Sequence, residues 1–283
     1  MTRVAEIEAH IGNMFELREI VGAMRSLASM RVQRTQQMLP GIRGYAEAMA
    51  RGVGAALLLT PEATAARVSV RTCRALVLFT AEHGFVGGFN ERLVDAVAAA
   101  LAHGDQLFVL GTRGLVAAEE RGLAITWSHP MATRPEAASE TTRLLTNELY
   151  RGIASGEITQ VEVMFARHGQ GQDVRIEQRR VFPIDRASFA PTQSRQPPLH
   201  NIPPARLLER LSADYVFALL AGASIESLAS ENAARFAAMQ SAHDNISDRL
   251  EELRRAARDA RQEEVTTELL DLVTGAEAQR EGS

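Results

Sequence analysis

Between Thr80 and Asn90 the chain reads TAEHGFVGGFN, directly after the apolar run Ala75–Phe79. A strand that ends in glycines and leads toward a helix is a phosphate-binding arrangement, because glycine lets backbone N–H groups approach an anion at a helix N-terminus. The glycines at 84, 87 and 88 fit neither GxGxxG nor GxxxxGK[ST], however. All 31 basic residues are Arg and none is Lys, so a P-loop lysine and a Schiff-base lysine are both excluded. Cys73 is the single cysteine, which rules out an internal disulfide and any CxxC pair; it reads as a small buried hydrophobe. His243 falls in a helical seam and reads as a packed histidine. These residues exclude several chemistries and by themselves identify no catalytic, cofactor-binding or metal motif.

The elements that position this glycine stretch have three textures. From Val4 to about Leu39 the apolar residues Val4, Ile7, Ile11, Met14, Leu17, Val21, Met24 and Ala28 recur at spacings of three and four, the period of an amphipathic helix. Pro40-Gly41 interrupts the pattern, and a second helical patch, Tyr45–Leu59, is expected to continue it after a kink or short break. The middle changes period. Apolar runs at Ala75–Phe79, Gln106–Leu110, Val161–Phe165 and Val174–Phe182 read as strands, separated by helical stretches at Glu91–His103, Gly114–Gly122 and Glu136–Ser155. That alternation predicts a small, mostly parallel, Rossmann-like sheet, with VRIEQRRV after Gly171 as an antiparallel edge strand. Asn90 reads as the N-cap of the helix after the glycines.

Pro191 to Pro204 holds five of the ten prolines and reads as a linker. Beyond it, Asn232, Phe236, Met239, His243, Ile246, Leu250, Leu253, Ala257, Ala260 and Glu264 step by four and three, a coiled-coil seam. The phase slips by one residue at Val265 and continues through Leu269, Leu272 and Ala276. Between Arg249 and Glu264 ten of sixteen residues are charged, five of each sign, so this face is solvated and laced with weak ion pairs rather than built for nucleic acid. The net charge of −4 likewise recruits no polyanion.

The predicted organisation is residues 1–59 as an N-terminal helix, 72–190 as an α/β domain, 191–204 as a linker and 205–278 as a C-terminal helix. The two end helices are expected to pair as a long antiparallel coiled coil. An unbroken C-terminal helix from Ala205 to Ala276 would measure on the order of 105 Å. The N-terminus is charged from Arg3 onward and no stretch approaches the roughly 20 apolar residues of a membrane helix, which points to the cytoplasm. The residues alone leave two readings open: a nucleotide-binding α/β enzyme with a helical dimerisation arm, or a coiled-coil adaptor.

Four blocks carry a more specific resemblance. Val265-Thr-Thr-Glu-Leu-Leu-Asp-Leu-Val-Thr-Gly-Ala276 looks like the terminal signature of the gamma subunits of F-type rotary ATP synthases, with every defined position filled. Ala229-Ser-Glu-Asn-Ala-Ala-Arg-Phe-Ala-Ala-Met239, followed by Asp244-Asn245, resembles that family's ASE(N/H)xARMxAM…DN run, with Phe236 in place of Met. Ile20-Val-Gly-Ala-Met-Arg25 is similar to its ITKAM block, and Gly84-Phe-Val-Gly-Gly-Phe-Asn90 to its RGLCGGLN loop. The resemblance covers the whole chain. It departs at Gly22, where Lys is common, at Ser26-Leu27, and at the acids Glu263-Glu264, which suggests a divergent bacterial member, an alternative or sodium-type ATPase being one source of such divergence.

The resemblance implies a central stalk without an active site. Its coiled coil would stand in a ring of alpha and beta subunits at three-to-three-to-one stoichiometry. Its α/β domain, with an epsilon (or delta) subunit, would sit on the c-subunit ring, making it a peripheral membrane protein on the cytoplasmic face of the bacterial inner membrane. Rotation would couple H+ or Na+ flow to ATP synthesis or hydrolysis, with no direct nucleotide or nucleic-acid binding. Carried over residue by residue, Met24, Arg25, Arg235, Arg261, Gln262, Thr266 and Glu268 fall on positions that contact or support the beta subunits.

Overall fold

The computed structural model describes residues 3–59, 73–169, 174–185, 189 and 199–281. Its elements run α1 (Arg3–Leu59), β1 (Arg74–Phe79), α2 (Phe89–Ala100), β2 (Gln106–Leu110), α3 (Thr112–Glu120), β3 (Trp127–His129), α4 (Ala138–Ser155), β4 (Gln160–His168), β5 (Val174–Phe182) and α5 (Pro204–Glu281). The chain divides into two compact units, Met1–Leu27 with Ala237–Ser283, and Ala28–Phe236.

The larger unit holds a five-stranded sheet in the order β3-β2-β1-β4-β5. β1 pairs parallel with β2 and β4, β2 parallel with β3, and β5 closes the edge antiparallel to β4. Strand alternation sorts the core onto two faces. Leu76 and Leu78 of β1 pack with Phe89, Leu93, Val94 and Val97 of α2 and Ala117 and Ala118 of α3. Ala75, Val77 and Phe79 face the other way, toward Leu145 and Leu149 of α4 and Val216, Leu220, Ala223 and Leu228 of α5. Helices thus cover both faces, which is what nearly uninterrupted apolar strands require. The chain leaves β1 in one direction through α2 and α3, and returns to β1's other side through α4 and β4. The strand order therefore reverses between β1 and β4.

Three expectations about the elements need correction. Pro40 neither breaks nor ends the first helix, since α1 runs through it. The ring is on the exposed side, while Leu39 and Ile42 pack against Ala132, Ala138 and Ile225, so burial on both sides of the missing N–H holds the helix together. β3 is a strand that the apolar pattern did not reveal, because its three residues are mostly half-buried at the sheet edge. Asn90 is not an N-cap: Gly88 holds that position, and the Asn90 Oδ1 accepts the backbone N–H of Ala81 at 3.0 Å. The β4–β5 connection at 170–173 and most of the proline-rich segment, 191–198, lie outside the described residues.

In the smaller unit the two end helices run antiparallel. Val21 packs with Met239, Ile246 and Leu250, flanked by Ile11, Met14 and Met24; Arg3 pairs with Glu263 at 3.2 Å and Arg25 donates to Gln240 at 3.0 Å. The antiparallel pairing expected from the seam is therefore present. Phe236, a predicted seam residue in the larger unit, is 37% exposed. The expectation that no stretch approaches a membrane helix is corrected by length and composition, since one stretch of α5 is apolar and long enough, but 56% of it is buried inside the protein, as packing against the sheet demands.

α3 begins at Gly111, which has no side chain to cap it. Glu82 supplies the cap from the neighbouring loop, accepting the N–H of Thr112 at 3.1 Å, its hydroxyl at 2.7 Å and the N–H of Met131 at 2.8 Å. Burial alone would raise the Glu82 carboxyl, but these donors outweigh it and hold the group below the ordinary carboxylate range. A depressed value means that the folded state binds fewer protons than the unfolded chain. The contribution is present above the unfolded carboxylate range and is lost as pH falls through the folded value. Glu82→Gln should cost about 1 kcal/mol at neutral pH and flatten the acid limb of stability, read as denaturation midpoint against pH. An acid limb of unchanged slope would sink this role.

The first turn of α3 also lies on β1's end. A Cβ on Gly114 would sit 2.1 Å from the Thr80 Oγ1, and one on Gly111, at φ 108°, only 2.6 Å from the Thr80 carbonyl. Gly114→Ala is expected to destabilise the fold by about 1–3 kcal/mol through overpacking, measured by denaturant unfolding; a neutral result would show that the helix is free to lift.

Candidate functional site

Open parallel sheets bind ligands in the crevice outside the strand carboxyl ends, where the strand order reverses. Here that crevice lies beyond Phe79 of β1 and the end of β4, beside the glycine loop, and α5 fills it. The Ser230 hydroxyl donates to the Ala166 carbonyl at 2.8 Å and to its own helix at Glu226, while the Ser227 hydroxyl reaches the Phe79 carbonyl at 3.4 Å. One turn on, Arg235 and Glu231 form an ion pair at 2.7 Å with only 6% and 3% of each residue exposed.

The pair is aimed at the loop. The Arg235 guanidinium donates to the carbonyls of His83 at 3.1 Å and Gly84 at 3.3 Å, and to the Asn232 Oδ1 at 3.2 Å. Burial pushes the Glu231 carboxyl up, against the opposing pull of Arg235 and the Glu82 backbone N–H. A carboxylate of the chain itself therefore takes the backbone donor that a phosphate would seek. With Asn90 on the Ala81 N–H and Glu82 on Thr112 and Met131, donors around the strand ends are consumed internally. The glycines serve geometry: Gly87 has φ 57°, and Phe85, at φ 62°, is a non-glycine residue in the left-handed region with 67% of its surface exposed. Among the described residues no cluster of three or more His, Cys, Asp or Glu could hold a metal ion.

The seven residues singled out in the sequence do not converge. Arg235 belongs to this buried network. Met24 is half-buried beside Val21 in the smaller unit, and Arg25 is held by Gln240. Arg261 is exposed and pairs with Glu8; Gln262, Thr266 and Glu268 are exposed on α5, with the Thr266 hydroxyl donating to the Gln262 carbonyl at 2.7 Å. Glu231, Asn232, Ser227 and Ser230 were not picked out as a site. The spacing of an acid and an arginine four apart, inside an otherwise small and apolar stretch, was the available signal.

The C-terminal part of α5, in the smaller unit, carries a second surface. Val265, Leu269, Leu270, Leu272 and Val273, where the seam continues past its phase slip, are 50% to 70% exposed. On a 3.6-residue helix these five cover one broad face, and a contiguous apolar face of this kind marks an interaction site.

Comparison with known proteins agrees with these features. The ATP synthase family profile matches residues 3–279. The ATP synthase gamma chain of Chlorobium luteolum is 27% identical over 296 residues, covering 98% of this chain and 99% of its own length. That of a Geobacter species is 26% identical over 289 residues, covering 98% and 99% respectively. Among solved structures, a chain of the Euglena gracilis mitochondrial ATP synthase rotor superposes with a TM-score of 0.61 at 13% identity, over 93% of this chain and 98% of that one, which bears on the fold alone. A family profile matching nearly every residue, and relatives aligned along their whole length, place this chain in the ATP synthase family, alongside its gamma chains.

Proposed function

We propose that the chain is the central-stalk rotor subunit of an F-type ATP synthase, turning within a ring of three alpha and three beta subunits and coupling ion flow through the membrane sector to ATP synthesis or hydrolysis. The observation that carries this is the exposed apolar face of α5 from Val265 to Val273, next to a helical pair whose own seam is satisfied. A lone soluble protein loses solubility by exposing such a face, whereas a shaft end seated in a surrounding sleeve buries it. Chemistry belongs to the neighbours. Rotation of an asymmetric element changes which face each beta subunit meets, and so shifts the nucleotide affinities in turn.

On this proposal residues 1–59 and 205–278 form the shaft, 72–190 the foot on the c ring beside an epsilon (or delta) subunit, and 191–204 the link between them. The work is done on the cytoplasmic face of a bacterial inner membrane, with H+ or Na+ chosen by the c ring. Met24, Arg25, Arg261, Gln262, Thr266 and Glu268 are the residues through which the shaft meets or supports the beta subunits; Arg235 supports from within.

Two outcomes test the proposal. Purified from its native cell, the chain should be recovered with alpha and beta subunits at one copy to three of each, and alone it should bind neither ATP nor NAD by calorimetry; recovery without ATPase subunits would overturn the assignment. Because Leu269 and Leu272 are exposed, Leu269→Glu with Leu272→Glu should leave the isolated chain's unfolding free energy unchanged within the usual surface-mutation range of about 0.5 kcal/mol. The same pair should weaken assembly with the alpha–beta ring, read by size exclusion. Undiminished assembly would remove this face from the interface.

A further inference from the structure

We infer that Glu231 and Arg235 are positioning residues that key α5 rotationally to the sheet, so that torque passes between the shaft helix and the foot without slip. The inference rests on the rotor assignment above and concerns contacts inside the larger unit alone.

Apolar packing holds a helix against a sheet but is not directional, and α5 meets the sheet mainly through Val216, Leu220, Ala223 and Leu228. Small and aliphatic side chains of this sort hold the helix by shape. Forked, charge-assisted hydrogen bonds add a defined direction. The Arg235 guanidinium serves four acceptors at once, the carbonyls of His83 and Gly84, the Asn232 amide oxygen and the Glu231 carboxylate, all between 2.7 and 3.3 Å. Asn232 in turn donates to the Leu228 carbonyl at 2.8 Å, which fixes its own orientation. Together with Ser230 on Ala166 and Ser227 on Phe79, the helix is tied to β1, to β4 and to the loop after β1. A rotation of α5 by one residue, about 100°, would break every one of these contacts.

Stability is a poor reason for such a pair. A buried ion pair often contributes no more than well-packed apolar side chains of the same volume would. What the pair supplies is direction. Its place also fits the role: it is the last polar attachment of α5 within the larger unit, one residue before that unit ends at Phe236.

The test uses the complete complex reconstituted in vesicles, reading ions transported per ATP hydrolysed. Glu231→Leu with Arg235→Met removes both charges together, so no lone buried charge is left, and the chain should still assemble and hydrolyse ATP. Hydrogen exchange at Glu82–Phe85 should rise, and transport per ATP should fall several-fold. Arg235→Lys keeps the charge but not the fork, and should give an intermediate ratio with a folded chain even if the double variant fails to fold. Faster exchange in the loop with an undiminished transport ratio, in either variant, would overturn the inference. Failure of the unaltered chain to assemble or couple would instead overturn the rotor assignment.

Discussion

The contact on which the larger unit depends is α5 lying across the carboxyl ends of β1 and β4. A parallel sheet leaves carbonyls and N–H groups unsatisfied where its strands stop, and burying them without partners would cost several times a typical hydrogen bond's net value. Many sheets of this topology leave that work to a bound ligand. In this chain Ser227, Ser230, Glu231 and Arg235 do it, and the place that would take a nucleotide is built out of protein. The loop His83–Gly88 then has a fixed floor, which lets Phe85 hold a left-handed conformation while its ring stays in solvent.

The smaller unit follows a different economy. Its exposed ion pairs, Arg3 with Glu263, Arg249 with Glu252 and Arg255 with Glu251, contribute little each in water. The pairing of the two helices is decided by the seam at Val21, Met239, Ile246 and Leu250. The feature that costs free energy is the exposed run from Val265 to Val273. Charged residues crowd the helix just before it, which is how an apolar end is kept soluble until it is covered.

Long periodic elements were legible in the sequence because period and burial coincide there. The seam from Met239 to Ala260, the four longer strands and the helices between them are all where apolar spacing put them, within a few residues at the ends. Legibility failed where a local rule was overridden by packing. Pro40 sits inside a helix because Leu39 and Ile42 anchor both sides of it. Asn90 has the chemistry of a cap, but its side chain is spent on Ala81 across the loop. The cap of α3 comes from Glu82, some thirty residues upstream, a pairing no window along the chain can show. Of the seven carried-over site residues, Arg235 is the one whose surroundings were least visible: on a helical wheel it is a surface arginine, and in the fold it is enclosed.

That enclosure gives the lysine-free composition a meaning at one position. Elsewhere on the surface, arginine and lysine would exchange with small effect, since single exposed charges are weakly coupled to anything. At Arg235 the acceptors lie in several directions, two carbonyls on the loop, an amide on the same helix and a carboxylate one turn back. A lysine ammonium has three donors at a single point and cannot span them. A rigid planar cation on a buried helix face therefore makes the loop's position depend on the helix's rotation angle. An α/β body whose crevice is filled in this way is held to the helix that crosses it.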